Sequence, residues 1–350
     1  MLKPEELTCI ARTFGLPGPL NVIKRLNSGD VNSAYQVACG SKRYVVKTIN
    51  KAKYVQDYAV PLEKLIQSLL FSEKIASQLS ETGHVMSAYF CEENCIIQTA
   101  NDLILLYPGL DAVMHENRDI STRHVQEIAG FLAQLHRSTL EFDDTLAREK
   151  FDTYKQIGEK IIALSVWNKL ASWTHPSYFF PKINAISTYL TVNRDHLLDS
   201  LNALKGTMLC HNDLKPKNVL WEKDHFWVVD WETAGLFDQT ADYLDTLLAW
   251  CTVYDKQGVS MDDHKLQMFM ETYPLPSHQP LSESLNIVLI KWYFWLAFCL
   301  NKLLTHPKKF KNNLSHIRYS IHFIHFLIDG IIISRIEERG TRSKQPRYPD

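Results

Sequence analysis

The chain has 350 residues, 45% of them hydrophobic, and its 38 basic side chains nearly cancel 39 acidic ones to leave a formal net charge of -1. That length supports a large core and about two domains or lobes, and the balanced charge argues against a protein that grips nucleic acid by broad electrostatic attraction. Seven scattered cysteines, an odd number in so long a chain, fit reduced thiols in a cytoplasmic setting rather than a disulfide framework.

Residues 1–6 carry acids and a proline where an export signal needs a positive start and an apolar run, which again predicts a cytoplasmic protein. Residues 5–14 read as a short helix closed by the Gly15-Leu16-Pro17-Gly18-Pro19 breaker cluster. Residues 22–26, 34–38 and 44–49 have strand character, with Gly40-Ser41 as a hairpin turn. A helix follows over residues 62–79, its apolar face made by Leu62, Leu65, Ile66, Leu69 and Leu70. Strand character returns at residues 89–90, 95–98 and 103–107, and Pro108-Gly109 stops it.

Beyond this point the pattern is helical: Val125, Ile128, Leu132 and Leu135 mark one buried face. The switch places a lobe boundary at Pro108, giving a first lobe over residues 1–108 and a second over residues 109–339, with a polar tail over residues 340–350. Residues 141–205 are helix-prone and aromatic-rich. The apolar stretches 287–300 and 321–333 are interrupted by Lys291 and by His322, His325 and Asp329. Both read as buried helices, short of the roughly 18 uncharged residues that cross a bilayer, so no membrane partner is expected.

The most informative stretch is His211-Asn212-Asp213-Leu214-Lys215-Pro216-Lys217-Asn218, followed by two apolar strands around a turn at residues 222–225 and then Val228-Val229-Asp230. A hairpin would return Asp230 beside Asn218. In phosphoryl transfer one carboxylate accepts the proton of the attacking hydroxyl, while an Asn and a second Asp hold Mg²⁺. Asp213, Asn218 and Asp230 suit those three roles.

The upstream parts lie in the order this chemistry needs. The turn at residues 27–33 can carry backbone over the ATP phosphates, with Ser28, Gly29, Asp30, Asn32 and Ser33 as candidates and Gly29 allowing close approach. Lys47 closes an apolar strand and can reach the α and β phosphates. Its carboxylate partner on the next helix is Glu73, with Glu63 as the alternative. The strand holding Leu105 and Tyr107 can offer backbone to an adenine edge.

Assembled, these residues resemble the family of aminoglycoside phosphotransferases and choline kinases, within the protein-kinase-like superfamily, over about residues 20–300. The resemblance rests on Cys210-His211-Asn212-Asp213, Asn218-Val219-Leu220 and Val229-Asp230-Trp231-Glu232-Thr233-Ala234-Gly235. It implies an α+β, bilobal protein-kinase-like fold, with a small antiparallel-sheet N-lobe and a larger, mostly helical C-lobe. It also implies Asp213 as base, Asn218 and Asp230 as Mg²⁺ ligands, Lys47 on the phosphates with Glu73 as partner, ATP as donor, and a small-molecule hydroxyl as acceptor. Asp242 would anchor the catalytic loop, and His211 would be a packed structural residue.

Lys215-Pro216 reads more like a serine/threonine protein kinase, where Lys215 would contact the γ-phosphate. Trp231-Glu232 after Asp230, the lack of an Ala-Pro-Glu and the resumption of helix near Asp242 favour a small molecule. A nucleotide-binding pseudokinase is the third reading. For the acceptor, Glu232, Asp238, Asp245, Asp255, Asp262 and Asp263 could form an acidic cleft for an aminosugar. Trp250, Tyr254, Trp292, Tyr293 and Trp295 could cage a quaternary ammonium. Oligomeric state is not specified by the pattern.

Overall fold

The structure is a computed structural model that describes residues 2–28, 32–58, 60–171, 180–255, 258–276, 280–305 and 310–343. In chain order the elements begin with α1 (Pro4–Thr13), β1 (Asn21–Ser28), β2 (Asn32–Cys39), β3 (Lys42–Asn50), α2 (Lys51–Tyr58) and α3 (Leu62–Leu79). There follow β4 (Ile97–Gln98), β5 (Asp102–Pro108), β6 (Val113–Met114), α4 (Thr122–Leu135), α5 (Asp144–Ala163), α6 (Val166–Ala171), α7 (Phe180–Val192) and α8 (Arg194–Ala203). The middle of the chain supplies β7 (Met208–Cys210), β8 (Val219–Glu222), β9 (His225–Val228), β10 (Gly235–Phe237) and α9 (Gln239–Cys251). The last elements are β11 (Thr252–Tyr254), β12 (Val259–Met261), α10 (Asp263–Thr272), α11 (Leu281–Thr305), α12 (Phe310–Ile328) and α13 (Ile331–Ser343).

These elements form two compact units, and the division differs from the expected cut at Pro108. The first unit holds Met1–His115, Leu140–Ala147 and Lys217–Ala234; the second holds Glu116–Thr139, Arg148–Pro216 and Gly235–Asp350. The hairpin β8–β9, expected with the helical lobe, belongs to the first unit because its strand β8 pairs with β6 and Val85 bridges to Val228.

The first unit is built on an antiparallel sheet in the order β1-β2-β3-β5-β4. Side chains alternate across it with period two. Val46, Ile104 and Leu106 point to the face covered by Ile10 of α1, whereas Ile49, Leu103 and Leu105 pack with Leu65 and Leu69 of α3. Each Leu or Ile so buried contributes about 1.5–3 kcal/mol. Gly40, at φ 58°, makes the β2–β3 turn where the expectation placed it. Gly109 ends β5 against β3: a Cβ there would lie 2.5 Å from the Arg43 backbone carbon, so only glycine fits.

In the second unit, helices α4, α8, α9, α10, α11 and α12 pack on one another, and short acids start two of them. Asp238 accepts the Ala241 N–H at the head of α9, and Asp262 accepts those of His264 and Lys265 at the head of α10. Helix α11 corrects one expectation, because Leu281–Lys302 is long and apolar enough to cross a bilayer. In the structure 56% of its most apolar window is buried within the fold, and Lys291 at its middle is spent on partners of the same unit.

Other differences are local. Helix α2 was not expected; none of its residues is fully buried, and Tyr54 packs only partly against the core beneath α3. Residues 89–90 form no ladder; the Tyr89 N–H donates to the Leu106 carbonyl instead. Helix α13 runs to Ser343, into the expected tail, and residues 344–350 lie outside the described residues.

Candidate active site

In the first unit the candidate residues converge on Lys47. Strand alternation puts Lys47 on the same face as Ile49 and Leu105, toward α3, and the register sets it opposite Ala34 and Leu105. The β8–β9 hairpin closes with the Val229 N–H donating to the Asn218 carbonyl at 2.9 Å, which brings Asp230 back beside the buried Asn218. Asp230 is left-handed, at φ 65° and ψ 56°, a conformation that redirects the chain into a tight turn over Trp231–Thr233. The buried Trp231 ring anchors that turn by donating to the Val228 carbonyl at 3.1 Å. Ser72 of α3 adds longer contacts to the carbonyls of Glu232 and Ala234.

The Lys47 ammonium lies 2.7 Å from Asp230 Oδ1 and 3.3 Å from Glu232 Oε2. Asn32 donates to the other Glu232 oxygen at 3.4 Å. Burial pulls the Lys47 pKa down, but the fields of Asp230 and Glu232, the hydrogen bond to Asp230 and the charge of Glu73 outweigh it and hold the ammonium above its ordinary value. One cation against two carboxylates leaves this cluster net negative. Its carboxylate oxygens are hard donors of the kind that suit Mg²⁺, and Asn218, whose backbone carbonyl pairs with the Val229 N–H, could add an amide oxygen.

The expected pairing of Lys47 with Glu73 is corrected. Glu73 is buried, and its carboxylate accepts the Tyr107 hydroxyl at 2.6 Å and the Ala88 N–H at 2.8 Å. Its field still reaches Lys47, but no ion pair within 4 Å forms. Burial raises its pKa, against the opposing effect of those hydrogen bonds and of Lys47. Glu63, the alternative, is exposed in the first turn of α3.

The strand expected to offer backbone to an adenine edge is paired with β3 at Leu105 and Tyr107. The Gly109 N–H donates to the Arg43 carbonyl, so the register turns the backbone groups of Tyr107 and Leu105 inward onto Val45 and Lys47. Of the phosphate turn, Ser28 pairs with Ser33 at the end of the β1–β2 ladder, and the Ser33 hydroxyl accepts from Arg25 at 2.7 Å. Gly29 and Asp30 lie outside the described residues.

The catalytic-loop candidates lie in the second unit. After β7 the chain makes a left-handed step at Asn212, φ 63°. Asp242 on α9 receives the loop: its Oδ1 accepts the Asn212 N–H at 2.9 Å, and its Oδ2 accepts the His211 N–H at 3.3 Å. His136 of α4 sits 3.0 Å from the same Oδ2 through Nε2 and 2.8 Å from the Tyr273 hydroxyl through Nδ1. Burial works to raise the Asp242 pKa, but the hydrogen bond and charge of His136, with Lys291 and His211, bring it below the ordinary value. The Asp213 N–H donates to Nδ1 of the buried His211 at 3.3 Å. Lys215 forms an ion pair with Asp213, and Trp250 donates to the Leu214 carbonyl at 3.0 Å.

Most of the acids considered for an acceptor cleft are committed elsewhere: Glu232 to Lys47, Asp245 to Lys291, and Asp238 and Asp262 to helix caps. Trp250 and Tyr293 are core, and Trp292 is stacked on Phe323 at 4.1 Å between centroids. Sequence reasoning missed His136, and Glu232 as the second partner of Lys47. The spacing Asp230-x-Glu232 on a tight turn was the available signal for the latter.

A family model described as the phosphotransferase enzyme family matches residues 22–266. Among solved structures the chain is similar to a spectinomycin phosphotransferase in complex with ADP and spectinomycin, at 14% identity and TM-score 0.58 over 93% of this chain and 98% of that one. It is also similar to an ethanolamine kinase from Plasmodium vivax, at 14% identity and TM-score 0.56 over 90% and 84% of the two chains. A choline kinase from Cryptosporidium parvum Iowa II aligns at 12% identity and TM-score 0.51 over 97% and 96%. A search of curated protein sequences finds no significant match.

Proposed function

The chain belongs to the phosphotransferase enzyme family, and from that premise we propose that it uses ATP and Mg²⁺ to phosphorylate a hydroxyl of a small molecule, with Asp213 as the base. The observation that carries this reading is the Lys47, Asp230 and Glu232 cluster beside Asn218, a cation and hard oxygens gathered by two strands and a tight turn. Mg²⁺, held by Asn218 and Asp230 with Glu232 adjoining, would neutralise charge on the phosphate oxygens. Lys47 keeps its positive charge for the phosphates. Asp213, on a loop whose backbone is fixed by Asp242, takes the proton of the attacking hydroxyl.

A small acceptor suits the sequence after Asp230 better than a peptide does. Helix α9 starts at Gln239, directly after the strand Gly235–Phe237, so no long segment is present to support a polypeptide substrate. The acceptor is further narrowed by the acids already spent, which disfavours a carboxylate-lined cleft for a polycation. The seven free thiols fit a reducing cytoplasm.

The test is ADP release from MgATP with spectinomycin, choline, ethanolamine, homoserine, thiamine, free sugars and a generic peptide as acceptors. Asp213→Ala should abolish transfer and leave MgATP binding nearly intact, whereas Asp230→Ala should damage both. Full activity in the Asp213 variant would remove it as the base, and turnover of the peptide alone would return the protein-kinase reading.

A further inference from the structure

Asn212 precedes the proposed base and holds a conformation that L residues adopt rarely, persisting where the surroundings over-determine it. Its two flanking peptide groups are each gripped by a charged side chain. The N–H, part of the peptide to His211, donates to Asp242 at 2.9 Å. The carbonyl, part of the peptide to Asp213, accepts from Lys291 Nζ at 2.7 Å. Holding both planes fixes φ and ψ of Asn212, and with them the direction in which Asp213 leaves the chain.

Lys291 comes from the middle of α11, between the buried Ile290 and Tyr293, where a cation is costly without partners. Its counter-ion is Asp245. Asp242 and Asp245 lie one turn apart on α9, so that single helix grips the Asn212 N–H directly and holds the lysine that grips its carbonyl. Burial pulls the Lys291 pKa down, but Asp245, with Tyr154 and Asp242, outweighs it and keeps the ammonium charged. Stability alone does not account for the pair, because a buried ion pair can be replaced by apolar residues at little or no cost. The Asn212 carbonyl does account for it.

We propose that Lys291 is a positioning residue for phosphoryl transfer, acting with Asp242 to clamp Asn212 and so aim Asp213. This rests on the reading of Asp213 as the base. The test uses the full chain with Lys291→Met paired with Asp245→Asn, since removing the lysine alone would strand a carboxylate. Asp245→Asn by itself is the second variant: its amide oxygen can still accept from Lys291, so the ammonium keeps a partner beside the Asn212 carbonyl.

Hydrogen–deuterium exchange of the peptide spanning residues 208–216, without nucleotide, should quicken at least about tenfold in the paired variant and stay within about threefold in Asp245→Asn. For ADP release from MgATP with water as acceptor, kcat of the paired variant should fall at least about tenfold with KM for ATP nearly unchanged. In an Asp213→Ala background, where only the slow base-independent release of ADP remains, the pair should not lower that residual rate further.

Unchanged exchange in the paired variant, equal quickening in Asp245→Asn, an unchanged kcat, or a further loss in the Asp213→Ala background would each overturn the inference. Full activity in Asp213→Ala alone would instead defeat the reading of the base, while exchange would still decide whether Lys291 holds the loop.

Discussion

Asp242→Asn is the sharpest probe of the loop anchor. The carboxylate is buried and accepts from the Asn212 N–H, the His211 N–H and His136. An amide can keep one oxygen on Asn212, but its NH₂ then faces two groups that themselves donate. Hydrogen bonds to a charged group are worth about 1.5–3 kcal/mol each, and removing one partner of a buried charged pair costs about 3–5 kcal/mol. We therefore expect about 3–5 kcal/mol of destabilisation, which for a unit of this size is roughly 6–20 °C in Tm.

The pH dependence gives a second handle. The folded-state pKa of Asp242 is lowered, so its stabilisation is present above the unfolded value of about 3.9 and is lost as pH falls through the folded value. Thermal unfolding of both proteins, followed by circular dichroism from neutral pH downward, should show the Tm gap full near neutrality and shrinking below about pH 4. A gap under about 2 °C at neutral pH, or one that widens in acid, would refute the anchor.

Two further substitutions test the first unit. Lys47→Met should lower kcat/KM for ATP by about 100-fold or more, since it removes the cation meant for the phosphates; steady-state ADP release within about threefold of wild type would exclude Lys47 from that role. Tyr107→Phe removes a hydrogen bond to the buried Glu73 carboxylate and should cost about 1–3 kcal/mol in urea unfolding. The folded pKa of Glu73 is raised, so its contribution is fully present below the unfolded value of about 4.3 and is lost as pH rises through the folded value. The Tyr107→Phe loss should therefore be larger at alkaline than at acid pH, and equal losses would show that the hydroxyl does not serve the ionised form.

What was readable in the chain was what local pattern controls. The helix over residues 62–79 was legible because one apolar face repeats along it, and the three-stranded start of the sheet because alternation and turn residues agree. The Asn218–Asp230 juxtaposition followed from a hairpin whose turn residues announce it. The partner of Lys47 was not legible in the same way. Glu73 lies at a sound helical position, but burial with Tyr107 and Ala88 satisfies its carboxylate, while Asp230 and Glu232 arrive from a turn far along the chain. Sequence spacing can nominate a carboxylate; it cannot decide between competing hydrogen-bond donors.

Lys291 shows the same limit from the other side. Along the chain it is an interruption in an apolar run, and its effect on the reading is to make a membrane span less attractive. In three dimensions the interruption is the informative residue: a cation within α11 needs a counter-ion, α9 supplies Asp245, and the nearby acceptor is the carbonyl one residue before Asp213. A buried charge is retained against its desolvation when it satisfies a group that an apolar side chain cannot. The left-handed Asn212 carbonyl is such a group, so the break in the hydrophobic pattern and the aim of the proposed base have one physical cause.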